Sequence, residues 1–237
     1  EVAILNHVAQ TYFMRNQPEK AEQAAEVALK AGESEKAARE LKGFAQMEQG
    51  KLDDAAKEFS AIGSKAGQAA VAMKQGKYDE AVKVAEQAPD DGFATAMKGE
   101  ALMRAGKLDE AAKALDAAAE KPLEDWQQAD AKTARGRLLQ EQGHLDGAVS
   151  TYQEALELNP WNVKALSNEA AAYRSKGDLE KAAAALEKAQ SLAANDAMVA
   201  MVLRQVRQEM ENANNTERRE LIQKQIADLQ QRAKDLK

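Results

Sequence analysis

Cysteine is absent from the 237 residues, which excludes disulfides, thiolate zinc sites and a cysteine nucleophile. It does not choose between a reducing and an oxidising compartment. Proline occurs four times and aromatic residues make up only 4%. No stretch of β-branched residues reads as a strand, and no run approaches the roughly 18 apolar residues of a membrane helix. Clustered positive charge is missing too. The net charge is −6, which argues against non-specific nucleic-acid binding. The chain opens on Glu1 and not Met, already inside a helical pattern and with no leader-like stretch, so the expectation is that an upstream segment has been removed.

What is abundant is alanine, with Glu, Lys, Gln and Leu, all good helix formers. The expected fold class is all-α. One phrase recurs: GKLDDAAKEF at Gly50, GKYDEAVKVA at Gly76, GKLDEAAKAL at Gly106, GHLDGAVSTY at Gly143 and GDLEKAAAAL at Gly177. A sixth copy, NQPEKAEQAA, starts at Asn16. Gly and Asn both tolerate the left-handed conformation that ends a helix and turns the chain.

The six copies align on that turn residue. Seven positions before it stand Ala9, Gly43, Ala69, Gly99, Gly136 and Ala170, all small. Nine after it stand Ala25, Phe59, Ala85, Leu115, Tyr152 and Leu186. Three after it the residue is always acidic: Glu19, Asp53, Asp79, Asp109, Asp146 and Glu180. Small residues let antiparallel helices touch, the larger one fills the groove between them, and the acid favours the positive end of the second helix.

This register resembles the tetratricopeptide repeat, bacterial-type, over roughly residues 2–194. The best-matching stretch runs from Gly136 to Ala189 and includes Leu158-Asn159-Pro160. The resemblance implies a right-handed α-solenoid of antiparallel helix pairs that binds polypeptides in its concave groove and is not an enzyme. Six pairs are expected in residues 1–194, a capping helix in 195–211, and a separate amphipathic helix in 212–237 after a break at Asn212–Asn215. Turn-to-turn intervals vary. The short one implies a clipped pair around Ile62-Gly63-Ser64, and the long one a loop at Lys121–Trp126. Curvature between residues 60 and 130 should therefore be irregular. Arg39, Lys65 and Lys132 stand where the family has a large residue, so those repeats are expected to be looser.

By the same resemblance, the residue three before each turn faces the concave side. Phe13, Met47, Met73 and Met103 make an apolar row there, followed by Gln140 and Arg174. Six before the turn, Phe44, Glu100 and Arg137 share that face, and Lys164 adds to a basic C-terminal half. The methionines either line an open groove or fill gaps between helices. The family's chaperone-tail clamp is not met, since of its places Ala96, Glu100, Ala134, Lys164 and Asn168 only Lys164 fits. The expected partner is a protein or peptide, with no nucleic acid.

At the C-terminus Ile222, Ile226, Leu229, Ala233 and Leu236 form a coiled-coil-like seam of about two heptads. This helix packs on its own solenoid, pairs with another copy, or leads into a downstream region. The remaining motifs carry little chemistry. His7 and His144 lie repeats apart and cannot share a metal. No phosphate loop, HExxH or nucleophile elbow occurs. Paired acids such as Asp53-Asp54 read as helix starts. No cofactor, metal or catalytic residue is expected. The compartment stays open between bacterial cytoplasm and periplasm, and a regulatory region of a larger protein is a further reading.

Overall fold

Each copy of the repeated phrase builds one helix, and the segment before it builds an antiparallel partner. The computed structural model describes residues 4–235, in which thirteen helices form an α-solenoid. The pairs are α1 (Ile4–Met14) with α2 (Pro18–Lys30), α3 (Glu35–Glu48) with α4 (Leu52–Ala61), and α5 (Lys65–Lys74) with α6 (Tyr78–Ala85). They continue as α7 (Gly92–Arg104) with α8 (Leu108–Ala119), α9 (Asp125–Glu141) with α10 (Leu145–Leu158), and α11 (Val163–Lys176) with α12 (Leu179–Leu192). A single helix, α13 (Ala197–Asp235), follows.

All six aligned turn residues have positive φ, including Asn16 at 56°. The six aligned acids each sit in the first turn of the second helix of their pair. The small and large positions meet inside the pair. A Cβ on Gly43 would lie 2.6 Å from the Phe59 ring, one on Gly99 2.6 Å from Leu115, and one on Gly136 2.5 Å from Tyr152. Where the large position is only alanine, as in Ala25 and Ala85, its small counterpart is Ala9 or Ala69 and not glycine. Residue sizes are thus matched in the first five pairs, while the sixth sets Leu186 against Ala170.

The third pair is clipped, with helices of 10 and 8 residues against 14 each in the sixth. Ten residues make only about 15 Å of helix, so α5 is a low wall between its neighbours. Phe44 on α3 reaches over it to Phe93 on α7, with ring centroids 5.6 Å apart. A solenoid repeat ordinarily touches only its neighbours. Here the superhelix closes on itself. Phe13 of α1 stands 5.4 Å from Trp126 of α9, the Arg15 guanidinium lies 4.9 Å from the Trp161 ring, and Lys164 of α11 donates to Glu48 of α3 at 3.1 Å.

Three expectations change. The inserted loop is shorter than expected, because Trp126 belongs to α9 and is buried. A capping box between Glu124 and Gln127 starts that helix immediately after Pro122-Leu123. Arg39 and Lys132 do not leave their repeats loose: each reaches the second helix of its own pair, Arg39 to Glu58 and Lys132 to Glu154, both at 2.6 Å. Lys65 makes only a local bond to Gln68. The break at Asn212–Asn215 is absent, so the capping and C-terminal helices are one. Asparagine costs only a fraction of about 1 kcal/mol per helical position, and Thr216 Oγ1 donates back to the Asn212 carbonyl at 2.9 Å, as within an unbroken helix.

The first part of α13 caps the array, burying Val199, Leu203 and Val206 against the last pair. Beyond it Leu221, Ile222 and Ile226 are exposed. Leu236, the last seam position, lies outside the described residues.

Candidate functional site

The first helices of the six pairs, α1, α3, α5, α7, α9 and α11, together with the start of α13, enclose a groove of about 670 Å³. Its apolar surface comes from Phe13, Phe44, Met47, Met73, Met97 and Met198. Its charged surface comes from Glu48, Lys74, Glu100, Arg104, Asp130, Arg137, Lys164 and Asp196.

Of the nine residues picked out by register, seven line this groove: Phe13, Phe44, Met47, Met73, Glu100, Arg137 and Lys164. The apolar row divides between the two readings, open groove and gap filling. Phe44 and Met47 are only 3% and 7% exposed and form its floor, whereas Phe13 and Met73 are half-buried. Met103 is buried with Leu102, Leu115 and Leu138, behind the groove wall. Arg174 is turned away toward the array's end, where it pairs with Glu209 of α13, Nε to Oε2 at 3.0 Å. Closure of the superhelix explains the burial of Phe44 and Met47. A concave row becomes interior once Trp126 fills the space between Phe13, Phe44 and Phe93, at 5.4, 5.2 and 5.1 Å.

The charges are arranged in two clusters. Glu48 receives Lys164 at 3.1 Å and Lys74 at 3.6 Å, and Glu100 receives Arg137 at 3.2 Å and Arg104 at 3.9 Å. Burial would raise the Glu48 pKa, but Lys164 and Lys74 outweigh it and hold the carboxyl below its ordinary range. Asp130 goes the other way. Burial, with Glu100 and Glu48 adding to it, pushes its carboxyl up despite Lys164 and a 3.2 Å hydrogen bond from Asn162 Nδ2. Enclosure by the surrounding helices works against charge on Lys164, although its side chain is 59% exposed, yet Glu48, Asp130 and Glu100 together keep its ammonium protonated well above the usual lysine range.

Several of these positions were missed although the register contains them. Two before the turn stand Glu48, Lys74 and Arg104, and thirteen before it stands Asp130, at the same offset as Lys164, which the sequence already marks. The two histidines are exposed and stay apart, His7 on α1 and His144 before α10. Among the described residues no group of three His, Cys, Asp or Glu is placed to hold a metal, and no helix is long and apolar enough to cross a membrane.

Comparison with known proteins follows the same repeat. Residues 9–69 and 66–125 match one tetratricopeptide-repeat family profile, and residues 139–206 match another. No curated protein matches the chain. Among solved structures, the APC/C hetero-tetramer Cut9–Hcn1 superposes with a TM-score of 0.63 at 14% identity, over 86% of this chain and 42% of that one. A human IFIT1 dimer with PPP-AAAA superposes with a TM-score of 0.62 at 15% identity, over 89% of this chain and 57% of that one. The chain spans about half the length of these two, and at such identities the likeness is one of fold.

Proposed function

Because the chain belongs to the tetratricopeptide-repeat family, whose helix pairs serve as protein–protein interaction scaffolds, we propose that its groove is a non-catalytic binding site for a polypeptide segment. The carrying observation is the groove itself, continuous from α1 to α13 and about 670 Å³ in volume. That lies within the range of specific ligand clefts, about 300–1,000 Å³. Phe13, Met73 and Met198 offer the accessible apolar surface, with Phe44 and Met47 beneath. Methionine is flexible and polarisable, which suits side chains of varied shape. Glu100, Arg137 and Lys164 supply the polar contacts.

A nucleic-acid strand fits poorly. Every cation in the groove already has a carboxylate beside it, and the phosphate backbone needs an excess of Lys and Arg.

The test uses short peptides selected on the folded protein from a random display library. Met47 and Met103 are unsuitable for substitution, since Glu at a buried site would unfold the chain. Met73→Glu with Met198→Glu should weaken the selected peptides by about tenfold or more, that is about 1.4 kcal/mol, without lowering the melting temperature. Peptides that keep their affinity for that variant would place the binding site elsewhere.

A second reading concerns α13. Leu221, Ile222 and Ile226 are 57%, 46% and 49% exposed on the same helix. With Leu229, Ala233 and Leu236 the sequence continues their 4-3 spacing, the pattern that pairs helices from two copies. Sedimentation of the full chain should show a monomer–dimer equilibrium that Ile222→Glu with Ile226→Glu abolishes. A full-length chain that stays monomeric at high concentration would rule the pairing out.

A further inference from the structure

The groove's cations and carboxylates are equal in number but not equally matched. Lys74 and Lys164 are both taken by Glu48, and Arg104 and Arg137 by Glu100. Two groove carboxylates are left with no cation within 4.0 Å among the described residues. One is Asp196, whose Oδ1 is already spent on the first turn of α13, accepting from the backbone N–H groups of Met198 and Val199 at 2.9 and 3.2 Å. The other is Asp130, whose polar partner is the neutral amide of Asn162.

Position makes Asp130 the more useful of the two. Trp126, Asp130, Ala134 and Arg137 follow one another at helical spacing along the inner face of α9. Asp130 therefore stands one turn beyond the aromatic cluster and on the same face as the Glu100–Arg137 pair. Half-buried Phe13 and Met73 open onto the same groove. An incoming carboxylate would find every groove cation already beside a glutamate and would have to share it. An incoming ammonium or guanidinium finds in Asp130 a carboxylate with no cation within 4.0 Å among the described residues, although the charge of Lys164 is felt there and offsets part of the attraction.

We propose that the groove selects a polypeptide segment carrying a lysine or arginine beside an apolar side chain, with Asp130 accepting the cation. This rests on the groove being the binding site. The apolar side chain lies against Phe13 and Met73, and the basic one reaches the α9 face. Lys164, occupied by Glu48, is then a fixed part of the wall and not the partner's anchor.

The experiment measures fluorescence anisotropy with three labelled twelve-residue peptides of one apolar pattern, their polar positions all Lys, all Gln or all Glu. The Lys peptide should bind the wild-type chain at least about tenfold more tightly than the Glu peptide. Asp130→Asn retains an oxygen that accepts from Asn162, so its melting temperature should match the wild type. The variant should bind the Lys peptide within about twofold of the Gln peptide. The net charge of −6 attracts any basic peptide, so Glu110→Gln, an exposed site on α8, serves as the control and should keep the full preference. Equal binding of Lys and Glu peptides overturns the proposal, as does a preference that survives Asp130→Asn or falls equally in Glu110→Gln. If no peptide binds, or if all three bind Met73→Glu with Met198→Glu as well as wild type, the groove reading itself fails and the proposal with it.

Discussion

Replacing Trp126 by alanine should destabilise the chain by about 3–5 kcal/mol, the usual cost of deleting a large buried aromatic side chain. The indole is 4% exposed and meets three rings edge-on: Phe13 at 5.4 Å, Phe44 at 5.2 Å and Phe93 at 5.1 Å. Such pairs contribute about 0.5–1.5 kcal/mol each beyond their buried area. These rings belong to the first, second, fourth and fifth helix pairs, so the loss falls between repeats that are not neighbours in the chain. In an ordinary solenoid, stability is close to a sum of repeat and nearest-neighbour terms. Trp126 adds a long-range term that ties the N-terminal pairs to the rest. The expected signature is therefore a change in the shape of the unfolding curve as well as its midpoint. Wild type should unfold in urea in one transition. Trp126→Ala should show an early loss of far-ultraviolet helix signal while Trp161, then the sole tryptophan, still reports a folded C-terminal part. A single transition shifted by less than about 1 kcal/mol would mean that the aromatic cluster does not couple the ends of the array.

That long-range coupling is also what the sequence could not reveal. The helix pairs were legible because their rules are local. A turn residue, a small residue seven before it and a large one nine after it recur in register, and Gly43 with Phe59, Gly99 with Leu115 and Gly136 with Tyr152 meet as the spacing requires. Contacts such as Phe13 with Trp126 or Glu48 with Lys164 have no period. They arise only when the short third pair lets the array close, and the position of Trp126 beyond Pro122 reads from sequence as loop. The candidate site suffered from the same gap. Register placed Met47 and Met103 on the inner face, but closure makes Met47 part of the core and Met103 packs behind the groove wall with Leu102, Leu115 and Leu138, so both are buried. Charged substitutions misled in the opposite direction. Arg39 and Lys132 look like lost packing, yet each has a carboxylate on the second helix of its pair. The individual contribution of such exposed pairs is small, about 0–1 kcal/mol, but they show that polar residues occupy those positions in order. At Asn212–Asn215 a cluster of weak helix formers resembles a stop. None of them adopts the positive φ that Asn16 does, and the helix runs through.

Glycine-to-alanine substitutions on two helices should have opposite signs, and Gly67 carries the large effect. Alanine is favoured over glycine inside a helix by about 1 kcal/mol. Gly147 on α10 can realise that gain, because a Cβ there meets nothing closer than Leu139 Cδ1 at 3.6 Å. At Gly67 on α5 the added carbon would lie 2.1 Å from Phe59 Cδ1 and 2.3 Å from Cγ. These are the near atoms of the ring, not a free end that can swing aside. Phe59 is fully buried, its other flank presses on Gly43, where a Cβ would stand at 2.6 Å, and Phe44 is 4.8 Å from it centroid to centroid. The ring is held between the backbones of α3 and α5, so the helices must separate or the ring must leave its rotamer. Overpacking of this kind costs about 1–3 kcal/mol, and the contact is short enough to expect a net loss near 2 kcal/mol after the helix-propensity gain. Phe59→Leu alone should also destabilise, by removing ring contacts. Combined with Gly67→Ala it should recover at least about 1 kcal/mol relative to the sum of the two single changes, a coupling well above the error of distant sites. Urea midpoints of the four proteins measure this cycle. A Gly67→Ala variant as stable as Gly147→Ala, or a cycle with no coupling, would show that the third pair has room that the close approach of α3, α4 and α5 does not provide.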